Sequence, residues 1–479
     1  MSGNENHFDA VVIGAGPGGY VCAIKLGQLG LKTAIVEREY MGGVCLNVGC
    51  IPSKAVIHAG SFYEKLGAHA AELGIDLKVK GIDLGKLKEW KDKVVKKLTG
   101  GVEMLLKANK VTIFKGEAKF ENPTTIRVKS SSGQVALTSK NFVIATGSRS
   151  VVIPGFEPDG KQVITSTEAL DLTAVPKRLV VIGGGYIGLE LGTYLAKVGS
   201  QVTVLEGTKT LLGTMDQDCV QVVARGLKRR TVTVVTEAKA KSYKKTNQGL
   251  EVSYETQQGV QTTVCDLILV TVGRKPNSDT LDLAKAGLQP NAKGFIEIDR
   301  QCRTKVPHIF AIGDVAGGML LAHKASKEGI VCAEVIAGHK SSFDTTIIPA
   351  VVFTDPEIAS VGLTLAEAKS QGFDAHEAQF PFGALGKALA SGESEGFAKV
   401  VADRRTHRLL GVHIVGSEAS AMLGEAGLAL EMGAVLEDLA LTIHAHPTLP
   451  EALMEAAEVA LGHPIHVVAK ARPAHEKTA

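Results

Sequence analysis

The chain has 479 residues, 45% of them apolar and 5% aromatic, and it carries 53 basic and 50 acidic side chains. At about 100 to 200 residues per domain, this length predicts several domains that each bury a core. The net charge of +3 gives no electrostatic reason to expect a nucleic acid or an anionic membrane as a partner. Composition therefore excludes a disordered tail, a peptide hormone and a small binding module.

The N-terminus shows no targeting signal. Residues 1–7 contain no basic stretch followed by an apolar one, and the first arginine is Arg38. Because no run of about 18 apolar residues occurs, we expect no membrane span. The seven cysteines are odd in number and mostly scattered, which is typical of a reducing compartment. We therefore expect a cytoplasmic protein without a membrane partner, and we predict no metal site.

Two segments repeat one pattern of strand, glycine turn and helix. Their glycines and the acids that end the following apolar runs are Gly14, Gly16, Gly19 and Glu37, and Gly183, Gly185, Gly188 and Glu206. Each residue of the second set lies 169 positions after its counterpart. In a dinucleotide-binding turn the first glycine makes the bend, the second lets a pyrophosphate approach the backbone, and the third lets helix pack on strand. The repeat therefore predicts two dinucleotide sites.

The acids indicate which nucleotides bind. A carboxylate at the end of the second strand can accept hydrogen bonds from ribose hydroxyls and disfavours a ribose 2′-phosphate. Glu206 therefore favours NAD over NADP, although the nearby Lys209 leaves NADP open. The alternative is that both turns are structural and bind nothing. Two sites in one chain predict electron transfer between one bound cofactor and another.

Cys45 and Cys50 are close in sequence and have glycines beside them. Glycine permits the bend that a small disulfide ring requires. Residues 57–66 predict a helix, so Cys50 would lie near a helix start, where the dipole favours a thiolate. Such a pair suits reversible thiol exchange, and an inert, spatially separated pair is the alternative.

With four further motifs, the cysteine block resembles the pyridine nucleotide-disulfide oxidoreductases. The motifs that carry this resemblance are residues 42–54, 145–148, 272–277, 309–314 and 444–451. The resemblance runs nearly end to end and is greatest to the members that oxidise dihydrolipoamide. It implies an α/β fold with two Rossmann-like dinucleotide-binding domains plus a C-terminal α+β dimerisation domain.

The resemblance also divides the chain. It implies an FAD-binding domain (1–149), an NAD-binding domain (150–276), a central region that returns to the FAD domain (277–346) and an interface domain (347–479).

Roles for the cysteines follow from the same resemblance. Cys45 would be the thiol that exchanges with substrate, and Cys50 would be the charge-transfer thiol against the flavin. Lys54 would place its ammonium near the flavin and pair with Glu190, which opens the helix of the second copy. A solvated lysine and an ordinary helix acid are the alternative.

Thiol exchange needs a base, because only the thiolate attacks. The resemblance selects His446, with Glu451 orienting its ring, and implies that this histidine serves the cysteine pair of the other subunit. His444 is its nearest rival. Glu451 has an alternative role, because the segment from Thr448 to Glu451 also matches a helix-capping sequence before a predicted helix over 452–461.

Further positions match cofactor contacts in the family. Those expected at FAD, besides Lys54, are Gly116, Thr146, Gly147, Asp314 and Ala322. Those expected at NAD are Gly273 and Ala240, and the segment around Ala240 has diverged most. An ordinary turn at a strand end is the alternative for Asp314. Val44 and Pro450 depart from a threonine and a serine that are common in relatives.

The resemblance implies a homodimeric enzyme that holds FAD and oxidises dihydrolipoamide with NAD as acceptor. Its partner would be the lipoyl-bearing acyltransferase or carrier protein of a 2-oxo acid dehydrogenase or glycine cleavage complex. A reductase of the glutathione or mercuric type is an alternative, which Glu206 and the lack of cysteine beyond Cys332 disfavour. A non-catalytic flavoprotein scaffold is another, which the cysteine pair and His446 disfavour.

Overall fold

The computed structural model describes residues 6–68, 70–345 and 347–468. The described strands are, in chain order, β1 (His7–Ile13), β2 (Thr33–Glu37), β3 (Thr112–Lys115), β4 (Glu117–Asn122), β5 (Thr125–Ser130), β6 (Gly133–Ile144), β7 (Ser148–Ser150), β8 (Val163–Ile164), β9 (Arg178–Ile182), β10 (Gln201–Leu205), β11 (Thr233–Val235), β12 (Lys239–Thr246), β13 (Gly249–Thr256), β14 (Gly259–Cys265), β15 (Leu267–Val270), β16 (Arg274–Pro276), β17 (Ile309–Ala311), β18 (Ala350–Val352), β19 (Glu357–Gly362), β20 (Ala375–Pro381), β21 (Phe397–Asp403) and β22 (Leu409–Gly416).

The helices lie between groups of these strands along the chain. The α-helices are α1 (Pro17–Gln28), α2 (Gly43–Val48), α3 (Cys50–Ala68), α4 (Leu84–Ala108), α5 (Ser166–Ala169), α6 (Tyr186–Lys197), α7 (Gln217–Arg229), α8 (Ala322–Ile336), α9 (Leu365–Ser370), α10 (Gly386–Ala390), α11 (Ala419–Glu431), α12 (Leu436–Leu441) and α13 (Glu451–Leu461). Short 3₁₀ helices occur at Leu283–Ala286, Gly313–Ala316 and Phe382–Ala384. The helix predicted over 57–66 is thus longer at its N-terminal end and begins at Cys50.

The chain forms two compact units, the first of which comprises Met1–Lys177, Ser242–Glu251 and Val264–Asp344. Its main sheet has the order β3-β2-β1-β6-β5-β4, and β17 also pairs with β6. Strands β1, β2, β3, β6 and β17 pair in parallel, whereas β4, β5 and β6 pair antiparallel. In this unit β8 and β15 also pair in parallel.

Both faces of β1 are covered, which explains its continuous apolar sequence. Ala10 and Val12 belong to a core that includes buried residues of α1 and α8. Val11 and Ile13 belong to a second core with Phe120 and other buried side chains of the same unit. Because successive strand residues point to opposite faces, the two cores hold β1 from both sides. The glycine turn that follows β1 therefore has a fixed position.

The second unit comprises Arg178–Lys241, Val252–Thr263 and Thr345–Ala479. It begins with β9, α6, β10 and β11, whose strands pair in parallel in the order β11-β10-β9. Its C-terminal part is an antiparallel sheet of order β18-β19-β22-β21-β20, with a core shared with α11 and α13. This organisation confirms the predicted α/β class with a C-terminal α+β region.

The internal repeat extends to strand register. Val12 pairs with Ile35 in the first copy, and Val181 pairs with Val204 in the second, again 169 positions later. Helices α1 and α6 have equal lengths and begin and end at positions with the same offset. The sequence pattern therefore predicted two copies of one backbone arrangement correctly.

Candidate active site

The two glycine turns have nearly the same conformation. Gly14 and Gly183 have φ angles of 104° and 110°, a region that residues with a Cβ rarely adopt. The amide of Gly14 donates to the carbonyl of Val36 at 2.8 Å, and that of Gly183 donates to the carbonyl of Leu205 at 2.9 Å. Each turn is therefore fixed to the neighbouring parallel strand.

Gly16 and Gly185 are the N-caps of α1 and α6, and both face open space. A Cβ built on either would have no heavy atom within 4 Å. By contrast, a Cβ on Gly19 would lie 1.9 Å from the carbonyl oxygen of Gly14. The third glycine is thus required for helix packing, whereas the second leaves room for a pyrophosphate at a helix N-terminus. The residues present fit a dinucleotide.

The carboxylate of Glu37 joins the first glycine turn to the segment after β2. Its Oε2 accepts from the amide of Ala15 at 2.7 Å, and its Oε1 accepts from the amides of Glu39 at 2.8 Å and Tyr40 at 3.1 Å. A cleft lies beside it. Four residues predicted to contact FAD line this cleft, namely Gly14, Glu37, Gly116 and Thr146.

Glu206 makes the same two-sided attachment in the second copy. Its Oε2 accepts from the amide of Gly184 at 2.6 Å. Its Oε1 accepts from both the amide and the hydroxyl of Thr208, each at 2.7 Å. The anionic group therefore stands at the end of β10 beside the glycine turn, where it would repel a ribose 2′-phosphate.

The cysteine segment packs on the first glycine turn. Cys45 lies in α2, and Cys50 is the first residue of α3, as predicted. Gly42 and Gly43, which open α2, have positive φ angles of 88° and 63°. A Cβ on Gly43 would come within 2.5 Å of the Cα of Gly16. The structure thus brings the segment that carries the two thiols next to the turn that leaves room for a pyrophosphate.

The two thiols differ in environment, since Cys45 is half-buried and Cys50 is exposed. A hydrogen bond with the Cys50 thiol and burial raise the pKa of Cys45 well above its ordinary value, and the Lys54 ammonium acts in the opposite direction. Cys45 therefore needs a base to become a thiolate. The side-chain amide of Asn47, which sequence reasoning missed, donates from Nδ2 to the carbonyl of Gly43 at 2.8 Å and holds the segment.

Three of the motifs behind the resemblance meet at Asp314. The hydroxyl of Ser148 donates to the Asp314 carboxylate. The guanidinium of Arg274 donates from Nε to the same hydroxyl at 2.7 Å and from Nη2 to the carbonyl of Ser148 at 2.6 Å. Ser148 and Arg274 belong to two of the motifs, but nothing in the sequence predicts that they meet at Asp314. The role of Asp314 toward FAD stays a prediction.

A buried ion pair is attached to the backbone of the residue before Asp314. In α8, which begins at Ala322, Lys324 Nζ is 2.7 Å from Glu328 Oε1, and Glu328 Oε2 accepts from the amide of Gly313 at 2.7 Å. Burial raises the pKa of Glu328. Opposite charges four positions apart in an apolar helix were the sequence signal that could have revealed this pair.

The second unit holds Glu190 in a buried position on α6, with 4% of its surface exposed. Its Oε1 accepts from the amide of Phe353 at 3.0 Å. Lys54 belongs to the first unit, and the pairing of Lys54 with Glu190 stays a prediction. Of the other expected NAD contacts, Gly273 has a φ of 130° and Ala240 lies in β12.

His446 and Glu451 form a pair, as predicted. His446 Nδ1 is 2.9 Å from Glu451 Oε1, and the imidazole is 76% exposed. The rival His444 is 6% exposed, and its two ring nitrogens contact Glu425 Oε1 and the carbonyl of Thr442, each at 2.8 Å. Of these two histidines, His446 is the one that presents an open ring edge for proton exchange with a substrate.

The structure contains one of the two hydrogen bonds of the predicted capping box. Glu451 Oε2 accepts from the amide of Thr448 at 2.7 Å, which is one half of that motif. The Thr448 hydroxyl instead donates to the carbonyl of Ala445 at 2.7 Å, because the chain turns back before the helix. Pro450 precedes α13 as its N-cap, and Val44 is exposed. Glu451 thus has one oxygen for the backbone and one for His446.

Comparisons with known proteins identify the family to which this chain is similar. A family model described as pyridine nucleotide-disulphide oxidoreductase matches residues 8–329, and one described as the dimerisation domain of that family matches residues 348–457. The chain is 52% identical over 462 residues to "Dihydrolipoyl dehydrogenase" of Geobacillus stearothermophilus, covering 96% of this chain and 98% of that protein. It is 49% identical over 461 residues to the protein of the same name in Bacillus subtilis, with the same coverage of both chains.

Solved structures share the fold at lower identity. LpdA from Mycobacterium tuberculosis matches with a TM-score of 0.87 and 26% identity over 94% of this chain and 99% of that one. The HOCl-induced flavoprotein disulfide reductase RclA from Escherichia coli matches with a TM-score of 0.83 and 27% identity, with the same coverage. Among the described residues, no helix is both long and apolar enough to cross a membrane.

Proposed function

Because this chain belongs to the pyridine nucleotide-disulphide oxidoreductase family, whose members use FAD and NAD(H), we propose that it oxidises dihydrolipoamide to lipoamide with NAD⁺ as acceptor. The observation that carries this proposal is the position of the cysteine pair. The segment that carries Cys45 and Cys50 packs through Gly43 against Gly16 of the first glycine turn. The relatives that share about half of their residues with this chain are named dihydrolipoyl dehydrogenase.

The first dinucleotide site fits FAD and the second fits NAD. The cleft beside Glu37, the open space at Gly16 and the N-terminus of α1 would hold the adenosine and the pyrophosphate of FAD. Glu206 would hold the adenosine ribose of NAD through the same arrangement. When bound, FAD supplies a two-electron relay between the cysteine pair and NAD⁺.

Side chains of this protein carry out the thiol–disulfide exchange and the proton transfer. In the oxidised enzyme Cys45 and Cys50 share a disulfide. One thiolate of dihydrolipoamide attacks Cys45, and Cys50 leaves as a thiolate; the second substrate thiol then displaces Cys45, which releases lipoamide. Over this sequence two electrons enter the cysteine pair and His446 accepts a substrate proton. Glu451 holds the His446 ring so that its other nitrogen faces the thiol.

His446 supports a further step of the proposal. Its ring is 76% exposed, it lies in the part matched by the dimerisation domain, and Leu441 and Ile443 beside it are almost fully exposed. We therefore propose that two copies associate through this region and that His446 serves the cysteine pair of the other copy. The relatives' name supports a more specific partner. We propose that this partner is the lipoyl-bearing acyltransferase or carrier protein of a 2-oxo acid dehydrogenase or glycine cleavage complex.

Anaerobic titration tests the cysteine pair. In the wild-type enzyme, addition of two electrons should produce a long-wavelength absorbance band from a thiolate beside oxidised flavin. Cys45→Ser should lose dihydrolipoamide-dependent NAD⁺ reduction by at least about 10³-fold, because nucleophilic exchange requires that sulfur. Cys265→Ala, which removes a buried cysteine outside the pair, is the matched control and should keep the activity.

The outcomes separate the alternatives. Full activity in Cys45→Ser would overturn the mechanism. Turnover of glutathione disulfide with NADPH, in place of dihydrolipoamide with NAD⁺, would identify a glutathione-type reductase. Purified protein without flavin colour, or with flavin that dithiols do not reduce, would favour a scaffold.

A mixed dimer tests whether His446 acts across the interface. One subunit carries Cys45→Ser and the other carries His446→Ala. If the histidine serves the other subunit, one of the two sites keeps both groups and about half of the wild-type activity remains. An inactive mixed dimer would instead place His446 and the cysteine pair of one site in the same subunit.

A further inference from the structure

A short loop is attached to helix α6 at two points. The amide of Phe353 donates to Glu190 Oε1 at 3.0 Å. Two residues later, the carboxylate of Asp355 forms an ion pair with the ammonium of Lys197. Glu190 and Lys197 are seven positions apart, which places them on one side of α6 about 10 Å from each other. The loop therefore runs along the helix and contacts it two turns apart.

Helix α7 fixes the same loop from another direction. Arg230, which follows α7, is bound to both parts of Asp355: Nη2 is 2.9 Å from Oδ2, and Nη1 donates to the backbone carbonyl at 3.1 Å. A Cβ on Gly226 would lie 2.6 Å from that carbonyl oxygen. The glycine in α7 thus allows an approach that any larger residue would prevent.

The two cations that bind Asp355 are largely withdrawn from water. The side chain of Lys197 is 3% exposed and that of Arg230 is 18% exposed, while Asp355 is 37% exposed. Exposed ion pairs are weak because solvent screens them and because two flexible side chains must be ordered. Here both cations are held by packing, so the position of the carboxylate is determined by its surroundings. Asp355 is therefore suited to fix the loop.

We propose that Asp355, held by Lys197 and Arg230, is a positioning residue for Glu190. The inference rests on the proposed function. Glu190 lies in α6, five residues after the Gly185 N-cap at which NAD would bind, so its carboxylate would lie near the nicotinamide. Asp355 fixes the loop, the loop fixes the Phe353 amide, and that amide orients the Glu190 carboxylate. A displacement of about 1 Å in a group that aligns reactants can cost about 100-fold in rate.

The experiment measures the two half-reactions of the holoenzyme separately by stopped-flow absorbance. Asp355→Asn keeps the size of the side chain and removes its charge. We expect hydride transfer from NADH to the bound flavin to slow about tenfold at saturating NADH, while flavin reduction by dihydrolipoamide changes less than twofold. Arg230→Lys keeps a cation but loses one of the two contacts, and should slow hydride transfer about threefold.

Glu395→Gln is the matched control. It removes a carboxylate bound to Arg229, the neighbour of Arg230, at an exposed ion pair. We expect no change in either half-reaction. An equal loss in this variant would show a general effect of charge at the end of α7.

A double-mutant cycle distinguishes positioning from general structural damage. If Asp355 acts through Glu190, the effect of Asp355→Asn on hydride transfer should disappear in a Glu190→Gln background. Additive effects, or an unchanged rate in Asp355→Asn, would overturn the proposal. Should Asp355→Asn fail to fold, Arg230→Lys carries the same cycle. Because NADH oxidation by a quinone acceptor follows hydride transfer without any lipoyl substrate, failure of the lipoyl assignment would leave this test intact.

Discussion

Replacement of Gly16 by alanine should separate folding from FAD binding. Gly16 has φ of −68° and ψ of −179°, angles that alanine adopts readily, and its added Cβ would meet no heavy atom within 4 Å. The free energy of unfolding of the apoprotein should therefore change by less than about 1 kcal/mol. In the proposed FAD site, however, the flavin pyrophosphate would occupy that space in order to reach the helix amides.

The loss of affinity can be estimated from the same geometry. A phosphate oxygen accepts a hydrogen bond from an amide at about 2.9 Å, whereas a methyl carbon requires about 3.5 Å from its neighbours. Alanine at this position should therefore weaken at least one hydrogen bond to a charged group, which contributes about 1.5–3 kcal/mol. This corresponds to a dissociation constant for FAD about 10 to 100 times larger.

Two matched variants complete the test. Gly19→Ala would place a Cβ 1.9 Å from the Gly14 carbonyl oxygen, so it should lower the unfolding free energy of the apoprotein by about 1–3 kcal/mol or more. Gly185→Ala should leave FAD binding unchanged and raise KM for NAD⁺. Urea unfolding of the apoprotein and titration of flavin fluorescence give the two quantities. Wild-type affinity for FAD in Gly16→Ala would refute the assignment of the first turn.

Glu451→Gln should lower kcat with dihydrolipoamide at least about tenfold, because an amide at this position can still accept from Thr448 but offers His446 a donor; unchanged kcat would reduce Glu451 to a helix cap. Lys399→Met should lower the unfolding free energy at pH 7 by about 3–5 kcal/mol, because Lys399 Nζ lies 3.1 Å from both oxygens of the buried Asp216 carboxylate. In the wild-type protein burial opposes ionisation of Asp216, yet the Lys399 ammonium lowers its pKa. Without that ammonium, burial is opposed only by the smaller contributions of His413 and the Cys219 amide, so the pKa of Asp216 should rise. The loss should therefore shrink in urea unfolding as pH falls from 7 to 5, and an equal loss at both pH values would contradict this account.

The sequence alone determined the features that depend on local backbone requirements. Glycines at Gly14 and Gly183 were recognisable because the bend needs positive φ, and the repeat followed because each copy must satisfy the same geometry. Cys50 could be placed near a helix start because residues 57–66 predict a helix from their own sequence. Such signals lie within about 30 residues of one another, so the order of residue types preserves them.

Contacts between residues far apart in sequence were determined by the tertiary structure alone. Glu190 meets the Phe353 amide across 163 positions, and Lys399 meets Asp216 across 183. No spacing rule links such residues, because the contact is created by the packing of whole elements. Burial likewise distinguishes His444 from His446: the ring of His444 is enclosed and contacts a partner at both nitrogens, whereas the ring of His446 is open to solvent.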